Sequence, residues 1–318
     1  MTQPDPLRIG ISSCLLGEPV RFDGGHKRDS FLVDTFGFFV EWVPVCPEVE
    51  LGLGTPRETL RLVRKDGQVR LVQPKTGRDL TGEMRAFARR RVEALADERL
   101  SGYVLKKDSP SCGMERVRVY TDAGTADRGG RGLFAEALIA RFPQLPVEEE
   151  GRLSDPRLRD NFVERVFAYA RLRAFFETRW SVGGLVRFHT AHKLTLMAHA
   201  PDIYYEMGRL VAGASGASRA DLDTRYRARF MDALARLATT RKHANVLMHM
   251  LGHFKQRLEA DDRAELLAVI EDYRLGLVPL VVPITLFKHH VRRLGVEYLA
   301  GQVYLDPHPR ELMLRNHV

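Results

Sequence analysis

Residues 7–17 read LRIGISSCLLG, a short apolar run that leads directly into a cysteine. The run Leu7–Ser12 has the length and the branched apolar side chains of a buried strand. Cys14 follows two residues later, at the carboxyl end of that strand. In an open α/β sheet this end of the strands forms the ligand crevice. The stretch therefore predicts a sheet with a thiol at its functional edge.

The same pattern occurs twice more in the first half of the chain. The strand-like run Phe38–Val45 is followed directly by Cys46, and Ser101–Leu105 is followed, after a loop, by Cys112. A hairpin and two helices are predicted around these runs, over Arg61–Val72, Asp79–Leu100 and Gly132–Phe142. Alternation of this kind predicts an α/β domain with an open, mostly parallel sheet over residues 1–150.

The second half has helical periodicity almost throughout, and we expect an all-α domain over residues 151–318. The boundary lies near Glu148–Leu153, where the two patterns meet. The tail Tyr304–Val318 contains two prolines and is predicted to be extended on the surface. The predicted helices are Leu158–Trp180, His189–His199, Ile203–Ala212, Ser218–His253, Asp261–Leu275 and Thr285–Gly295.

Charge is distributed unevenly between the halves. Residues 1–150 contain 23 Lys and Arg against 23 Asp and Glu, whereas residues 151–318 contain 26 against 18, so the second half carries the whole net charge of +8. A neutral half joined to a basic half indicates a catalytic module joined to a module that binds a polyanion. The alternative is a helical domain that is basic without binding one.

The first residues lack the pattern of a signal peptide, so we expect none, and no apolar stretch reaches the roughly 18 residues of a membrane span. Three cysteines, an odd number without an export signal, indicate reduced thiols, and we expect a cytoplasmic location. Each cysteine, taken alone, is compatible with a small buried hydrophobic residue.

Three converging thiolates have a specific chemistry. They are one ligand short of a closed structural zinc site, which leaves a zinc-binding module open as an alternative. They can also hold a [4Fe–4S] cluster with one open iron, which can bind a soft sulfur atom of a substrate. Glu48 and Ser109 lie close to Cys46 and Cys112 in sequence and are suited to proton transfer; otherwise they are capping or turn residues.

Four motifs in order resemble the thiouracil desulfidase family. The resemblance implies a [4Fe–4S] cluster held by Cys14, Cys46 and Cys112. It also implies that Glu48 and Ser109 move protons while water replaces the sulfur of thiolated uracil, which is released as sulfide. The motifs are Ser12–Gly17, Val20–Gly24, Cys46–Val49 with Thr55–Arg57, and Ser109–Gly113.

The second half resembles the helical domain found fused to this module. The two together look like tRNA 4-thiouridine desulfidases, which implies tRNA as the partner and 4-thiouridine in tRNA as the substrate. The matching segments are Phe188–Lys193, Leu196–His199, Asn245–Met250, Leu286–His290 and Tyr304–Pro309.

RNA binding requires cations for phosphates and planar groups for stacking, and the second half has both. Each basic run could also be a solvated helix face. Two histidine pairs, His189 with His192 and His249 with His253, have metal-ligand spacing but are expected to be core or RNA-facing residues. The candidate RNA contacts are Lys193, Arg225, Arg227, Arg229, Lys288, Arg292 and Arg293.

Two other functions stay open at this stage. The chain could desulfurise free thiouracil or thiouridine, with the helical domain forming a homodimer. It could instead be a non-enzymatic RNA-binding or redox-sensing iron–sulfur protein. The sequence does not distinguish a monomer from a homodimer.

Overall fold

The chain divides into two compact units, Met1–Asp155 and Pro156–Val318. A computed structural model describes residues 7–121, 124–254 and 257–317. Unit 1 contains sheets flanked by helices and unit 2 is entirely helical, so the predicted fold class is confirmed.

Unit 1 contains eight described strands and four described helices. The strands are β1 Leu7–Ser12, β2 Val40–Val45, β3 Arg61–Lys65, β4 Gln68–Val72, β5 Gly102–Leu105, β6 Val117–Tyr120, β7 Ala126–Gly130 and β8 Val147–Glu149. The helices are α1 Ser30–Asp34, α2 Pro47–Glu50, α3 Thr81–Ala96 and α4 Leu133–Arg141.

The first sheet is parallel throughout, in the order β2-β1-β5-β8. Ile9 and Ile11 of β1 are fully buried, as expected of a central strand covered on both faces. Gly10 is required between them, because a Cβ atom there would lie 2.1 Å from Cδ2 of Tyr103 on β5. This close approach allows the tyrosine ring to pack against the backbone of β1.

A second sheet has the order β4-β3-β6-β7 and mixes antiparallel and parallel pairs. The predicted hairpin forms β3 and β4, but one open sheet was expected and the unit contains two. Strands β6, β7 and β8 were not predicted, because they are three to five residues long and β7 ends in Gly129 and Gly130. Such short runs carry little periodicity.

Unit 2 contains nine described helices. They are α5 Pro156–Glu177, α6 Val182–Ala191, α7 Lys193–His199, α8 Pro201–Ala212, α9 Arg219–Ala235, α10 Thr240–Gly252, α11 Ala260–Arg274, α12 Val281–Leu294 and α13 Glu297–Ala300. None of the helices within the described ranges is long and apolar enough to cross a membrane.

Three predictions in unit 2 were wrong in detail. The single helix predicted over Ser218–His253 is divided into α9 and α10, because Thr239 accepts a hydrogen bond from the Lys242 amide and begins a new helix. The segment His189–His199 spans two helices, α6 and α7. The tail forms short 3₁₀ turns instead of an extended surface segment, and Arg315 within it is buried.

Candidate functional site

The carboxyl ends of β1, β2 and β5 bring three thiols to the wall of one cavity of about 340 Å³. Cys14 lies in the turn after β1, Cys46 lies directly after β2, and Cys112 lies in the loop after β5. The parallel arrangement of these three neighbouring strands places all the following loops at one edge of the sheet. The fold thus brings together residues that are almost 100 positions apart in the chain.

Burial dominates the electrostatics of the thiols, all of which are free. It raises the pKa of Cys14 to about 11, and it also raises the pKa values of Cys46 and Cys112. Without a bound cation the three sulfur atoms are therefore protonated at neutral pH. A cationic group that entered the cavity would favour their thiolate forms.

The donor set fits an iron–sulfur cluster better than a single ion. Within residues 7–121, 124–254 and 257–317, no three His, Cys, Asp or Glu side chains are close enough together to hold one metal ion. A zinc ion needs such convergence. A cluster binds each thiolate through a different iron, so three thiols spaced around a cavity suit it. The sequence has no fourth cysteine, and a four-iron cluster would retain one iron without a protein thiolate.

Glu48 lines the same cavity and is held at both of its oxygens. Arg57 donates from Nε and Nη2 to Oε2, at 2.8 and 2.7 Å, and Ser111 donates from its hydroxyl to Oε1 at 2.9 Å. The side chain of Arg57 is 5% exposed, and its Nη1 also donates to the carbonyls of Val20 and Gly54. These contacts fix the carboxylate in the cavity wall.

Ser109 also lines the cavity, with a hydroxyl that organises the loop. Its Oγ accepts hydrogen bonds from the amides of Cys112, at 3.1 Å, and Ser111, at 3.3 Å. Ser109 is therefore a turn residue, which is one of the two functions that the sequence allowed. Its hydrogen bond with the Cys112 amide orients Cys112. The hydroxyl remains in the cavity lining, where it can also contact a substrate.

Sequence reasoning missed the supporting functions of Arg57 and Ser111. Both residues were noted only as parts of motifs, Thr55–Arg57 and Ser109–Gly113. A polar residue directly beside a proposed ligand cysteine, such as Ser111 beside Cys112, is a sequence signal that could have indicated a supporting function. The partner carboxylate of Arg57, nine residues earlier in the chain, gives no local sequence signal.

Cations and an aromatic ring surround the mouth of the cavity. Arg21 lies 5.4 Å from the centroid of the Phe22 ring, which is 38% exposed. Lys106 forms an ion pair with Glu150, whereas the side chains of Lys27 and Lys107 are exposed. A flat aromatic base and an adjacent phosphate match these groups chemically.

Most of the candidate RNA contacts in unit 2 are ion-paired to carboxylates. Lys193 instead lies 5.9 Å from the ring centroid of Tyr298, and Arg292 has no ion pair with any described residue. Pairing reduces the charge that a residue offers to a phosphate. The pairs are Arg225 with Asp221, Arg227 with Asp223, Arg229 with Glu206 and Asp232, Lys288 with Asp306, and Arg293 with Asp262.

The first histidine pair belongs to the core of unit 2. The Nδ1 atom of His189 lies 3.2 Å from the Tyr226 hydroxyl, and that of His192 lies 2.8 Å from the Phe188 carbonyl oxygen. Burial lowers the pKa of His189 to about 4 and that of His192 to about 3. Both rings are neutral packing groups at physiological pH. The rings of His249 and His253 are 5.3 Å apart.

Comparisons with known proteins separate the chain at a similar point. Residues 9–150 match the family model "2-thiouracil desulfurase", and residues 193–309 match "Protein of unknown function (DUF1722)". The chain is 33% identical over 161 residues to the uncharacterized protein YbgA of Escherichia coli K12, which covers 50% of this chain and 95% of that protein. It is 31% identical over 113 residues to the uncharacterized protein YbbK of Bacillus subtilis 168. That match covers 33% of this chain and 72% of YbbK.

One solved structure also matches. It is the [4Fe-4S]-dependent thiouracil desulfidase TudS, with 32% identity, a TM-score of 0.39, and coverage of 47% of this chain and 94% of that chain.

Proposed function

Since the chain belongs to the 2-thiouracil desulfurase family through residues 9–150, with a DUF1722 region following, we propose that it is a [4Fe–4S]-dependent enzyme that removes sulfur from thiolated uracil. The observation that carries the proposal is the presence of Cys14, Cys46, Cys112 and Glu48 in the wall of one cavity. The net reaction exchanges C=S and water for C=O and hydrogen sulfide, and it requires no net electron transfer.

Cys14, Cys46 and Cys112 would hold the cluster. When bound, the cluster supplies an iron without a protein thiolate, which acts as a Lewis acid and as an acceptor for soft sulfur. Apolar side chains such as Val20, Val45 and Leu60 complete part of the wall and limit the access of water.

Proton transfer is assigned to Glu48 and Ser109. The Glu48 carboxylate accepts a proton from the water that adds to the thiocarbonyl carbon, and Arg57 and Ser111 keep its oxygens directed into the cavity. When the C–S bond breaks, the protons taken from water go to the leaving sulfur. The Ser109 hydroxyl, in the same wall, relays a proton at this step.

The substrate that we propose is 4-thiouridine in tRNA, and the DUF1722 region would hold the RNA. Support comes from the net charge of +8 in residues 151–318 and from the exposed Phe22, Lys27 and Lys107 at the cavity mouth. The cavity of about 340 Å³ would also hold the cluster, so of the RNA only a single base would enter it. The base would leave its stack to enter, at a cost of a few kcal/mol that phosphate contacts would offset. Such a reaction takes place in the cytoplasm, where tRNA and reduced thiols occur together.

The test uses anaerobically purified protein reconstituted with iron and sulfide. We expect tRNA that contains 4-thiouridine to lose its thiobase absorbance while an equal amount of sulfide is released. Cys112→Ala should abolish both signals, and Ser30→Ala, an exposed position outside the cavity, should leave them unchanged. Full activity of Cys112→Ala would refute the proposed cluster site.

A second candidate is desulfurisation of free thiouracil or thiouridine. The ion pairs at five of the seven candidate RNA contacts favour it, because a neutralised surface binds RNA weakly. Turnover measured on 4-thiouridine as nucleoside and in tRNA separates the two candidates. A cluster-loaded protein that binds tRNA but releases no sulfide would indicate the non-enzymatic alternative.

A further inference from the structure

Unit 2 has a cavity of its own, at about 480 Å³ larger than the cysteine cavity. It lies among the first turns of α5, the end of α7, the connection between α9 and α10, the end of α11 and the C-terminal tail. Its volume is in the range of small-molecule sites, roughly 300–1,000 Å³. None of the desulfidation residues described above lines it.

The floor of this cavity is an ionic network in the protein interior. Glu164 lies 3.5 Å from Nη2 of Arg315 and 3.4 Å from Nε2 of His199, and all three residues are at most 5% exposed. Burial alone would raise the pKa of Glu164, but Arg315 and His199 lower it below its ordinary value, so the carboxylate is charged. Buried ion pairs add little stability compared with apolar packing. A binding function explains such a network better than stability does.

Two atoms of the cavity lining have unused hydrogen-bonding capacity. Oδ1 of Asp160 and Nε of Arg315 are shielded from solvent and have no hydrogen-bond partner among the described residues. Nε2 of His308 lies 3.5 Å from Oδ1 of Asp160. An unsatisfied buried polar group costs about 1–3 kcal/mol. A ligand with both a donor and an acceptor would satisfy both atoms.

The mouth of the cavity is cationic. Arg157, Arg241 and Arg274 are exposed there, and Arg241 has no carboxylate partner among the described residues. Thr239 and Thr240 begin the 13-residue helix α10 at the same place, and the first amide groups of a helix attract anions. Arg274 is paired with Glu271, and the other three arginines of the lining against Asp160 and Glu164 leave an excess of one positive charge.

We propose that this cavity binds a phosphomonoester carried by a hydroxyl-bearing group, such as a ribose 5′-phosphate. The phosphate lies at the start of α10 with Arg241 and Arg157, because guanidinium groups and helix amides are its usual partners. The hydroxyls face the acidic side chains deeper in the cavity. Free nucleotides and the 5′ end of an RNA share this chemistry. The site is separate from desulfidation and does not depend on it.

The test measures binding of adenosine 5′-monophosphate to the full chain by calorimetry, with inorganic phosphate and adenosine as partial ligands. We expect the monophosphate to bind more tightly than either. Arg241→Gln should weaken its binding at least tenfold, and Arg241→Lys should weaken it less. Arg263→Gln, at an exposed arginine of α11 outside the lining of this cavity, is the matched control and should have no effect.

Three outcomes would overturn the proposal. They are the absence of monophosphate binding, equal binding by wild type and Arg241→Gln, and a loss of binding in Lys107→Gln, which would move the ligand to the cysteine cavity. If the folding of Arg241→Gln is impaired, Arg157→Gln serves as a second variant with the same expected loss. Comparison of the affinities for tRNA with and without its 5′-phosphate identifies where the bound phosphate comes from. If the two affinities differ in wild type but not in Arg241→Gln, the site binds the 5′ end of RNA. If they do not differ, the site binds a free nucleotide. Because these measurements need no cluster, failure of the desulfidase assignment would leave them unaffected.

Discussion

The hydroxyl of Ser111 donates a 2.9 Å hydrogen bond to Oε1 of Glu48, a carboxylate in the wall of the cysteine cavity. Ser111 is fully buried beside Cys112, and Glu48 is two residues after Cys46. One hydrogen bond therefore connects the loops that carry two of the three proposed cluster ligands. It also determines where the carboxylate points.

Ser111→Ala should reduce desulfidation turnover by about tenfold or more, because a small misplacement of a reacting group is costly. The KM should change little, since Ser111 does not line the cavity. Turnover and KM are measured on reconstituted protein, and the visible absorbance of the cluster checks that loading is unchanged. Ser30→Ala is the control. Equal turnover of wild type and Ser111→Ala would show that Arg57 alone positions Glu48.

Glu48→Gln should retain the cluster and lose turnover by about 10²–10⁴-fold, the usual contribution of a general base. The amide keeps the volume of the side chain, and its single oxygen can still accept hydrogen bonds from Arg57. Its NH2 group can donate to the Ser111 hydroxyl, which can act as an acceptor, but the amide cannot take a proton from water. Single-turnover release of sulfide measures the loss. Turnover above a tenth of wild type would assign proton abstraction to another group.

Gly10→Ala should destabilise unit 1 by several kcal/mol, because the added Cβ atom would lie 2.1 Å from the Tyr103 ring in a core without free space. Gly82→Ala is a matched control in α3, where no atom lies within 4 Å of the added Cβ. It should stabilise the protein by up to about 1 kcal/mol through helix propensity. Denaturant unfolding of the two variants measures the contrast. Equal midpoints would contradict the close packing of β1 on β5.

The sequence was most informative where local chemistry and topology agree. The run Leu7–Ser12 identified a buried strand, and the parallel topology brought the following Cys14 to the same edge as Cys46 and Cys112. The Arg57–Glu48 ion pair could not be predicted, because it depends on the path of a loop, which no periodicity encodes.

In unit 2 the helices were predictable from periodicity, but the partners of their charged side chains were not. Arg229 was expected to contact RNA, and it pairs with Glu206 on the neighbouring helix α8. Arg315 was placed in an extended surface tail, and it is buried against Glu164. Both outcomes depend on which helix faces meet, which is a property of the tertiary structure.

Unit 2 should become less stable as the pH falls below about 6.5, the pKa of an unfolded histidine. His189 and His192 keep folded pKa values of about 4 and about 3, so between pH 6.5 and these values the unfolded state binds more protons. Stability is fully present above this window and decreases within it, by about 1.4 kcal/mol for each ring at pH 5.5. Urea unfolding at pH 7.5 and 5.5 measures the loss, and His192→Gln should reduce it by about 1.4 kcal/mol. An identical pH response of wild type and variant would contradict the burial of this ring.

Binding of tRNA should depend more on Arg292 than on Arg225. Arg292 has no ion pair with a described residue, whereas Arg225 lies 3.2 Å from Asp221 and must give up that contact to bind a phosphate. If both face RNA, Arg292→Gln should lower the slope of log K against log salt by about one and weaken binding at low salt. Arg225→Gln, with the same charge change on a similarly exposed helix face, should have the smaller effect, because the ion pair with Asp221 already limits what Arg225 contributes to a phosphate contact. The measurement is a fluorescence titration of tRNA at several salt concentrations. Equal losses in the two variants would show that the ion pairs of unit 2 do not limit its affinity for RNA, and a salt-independent affinity would show that its excess of positive charge has another purpose.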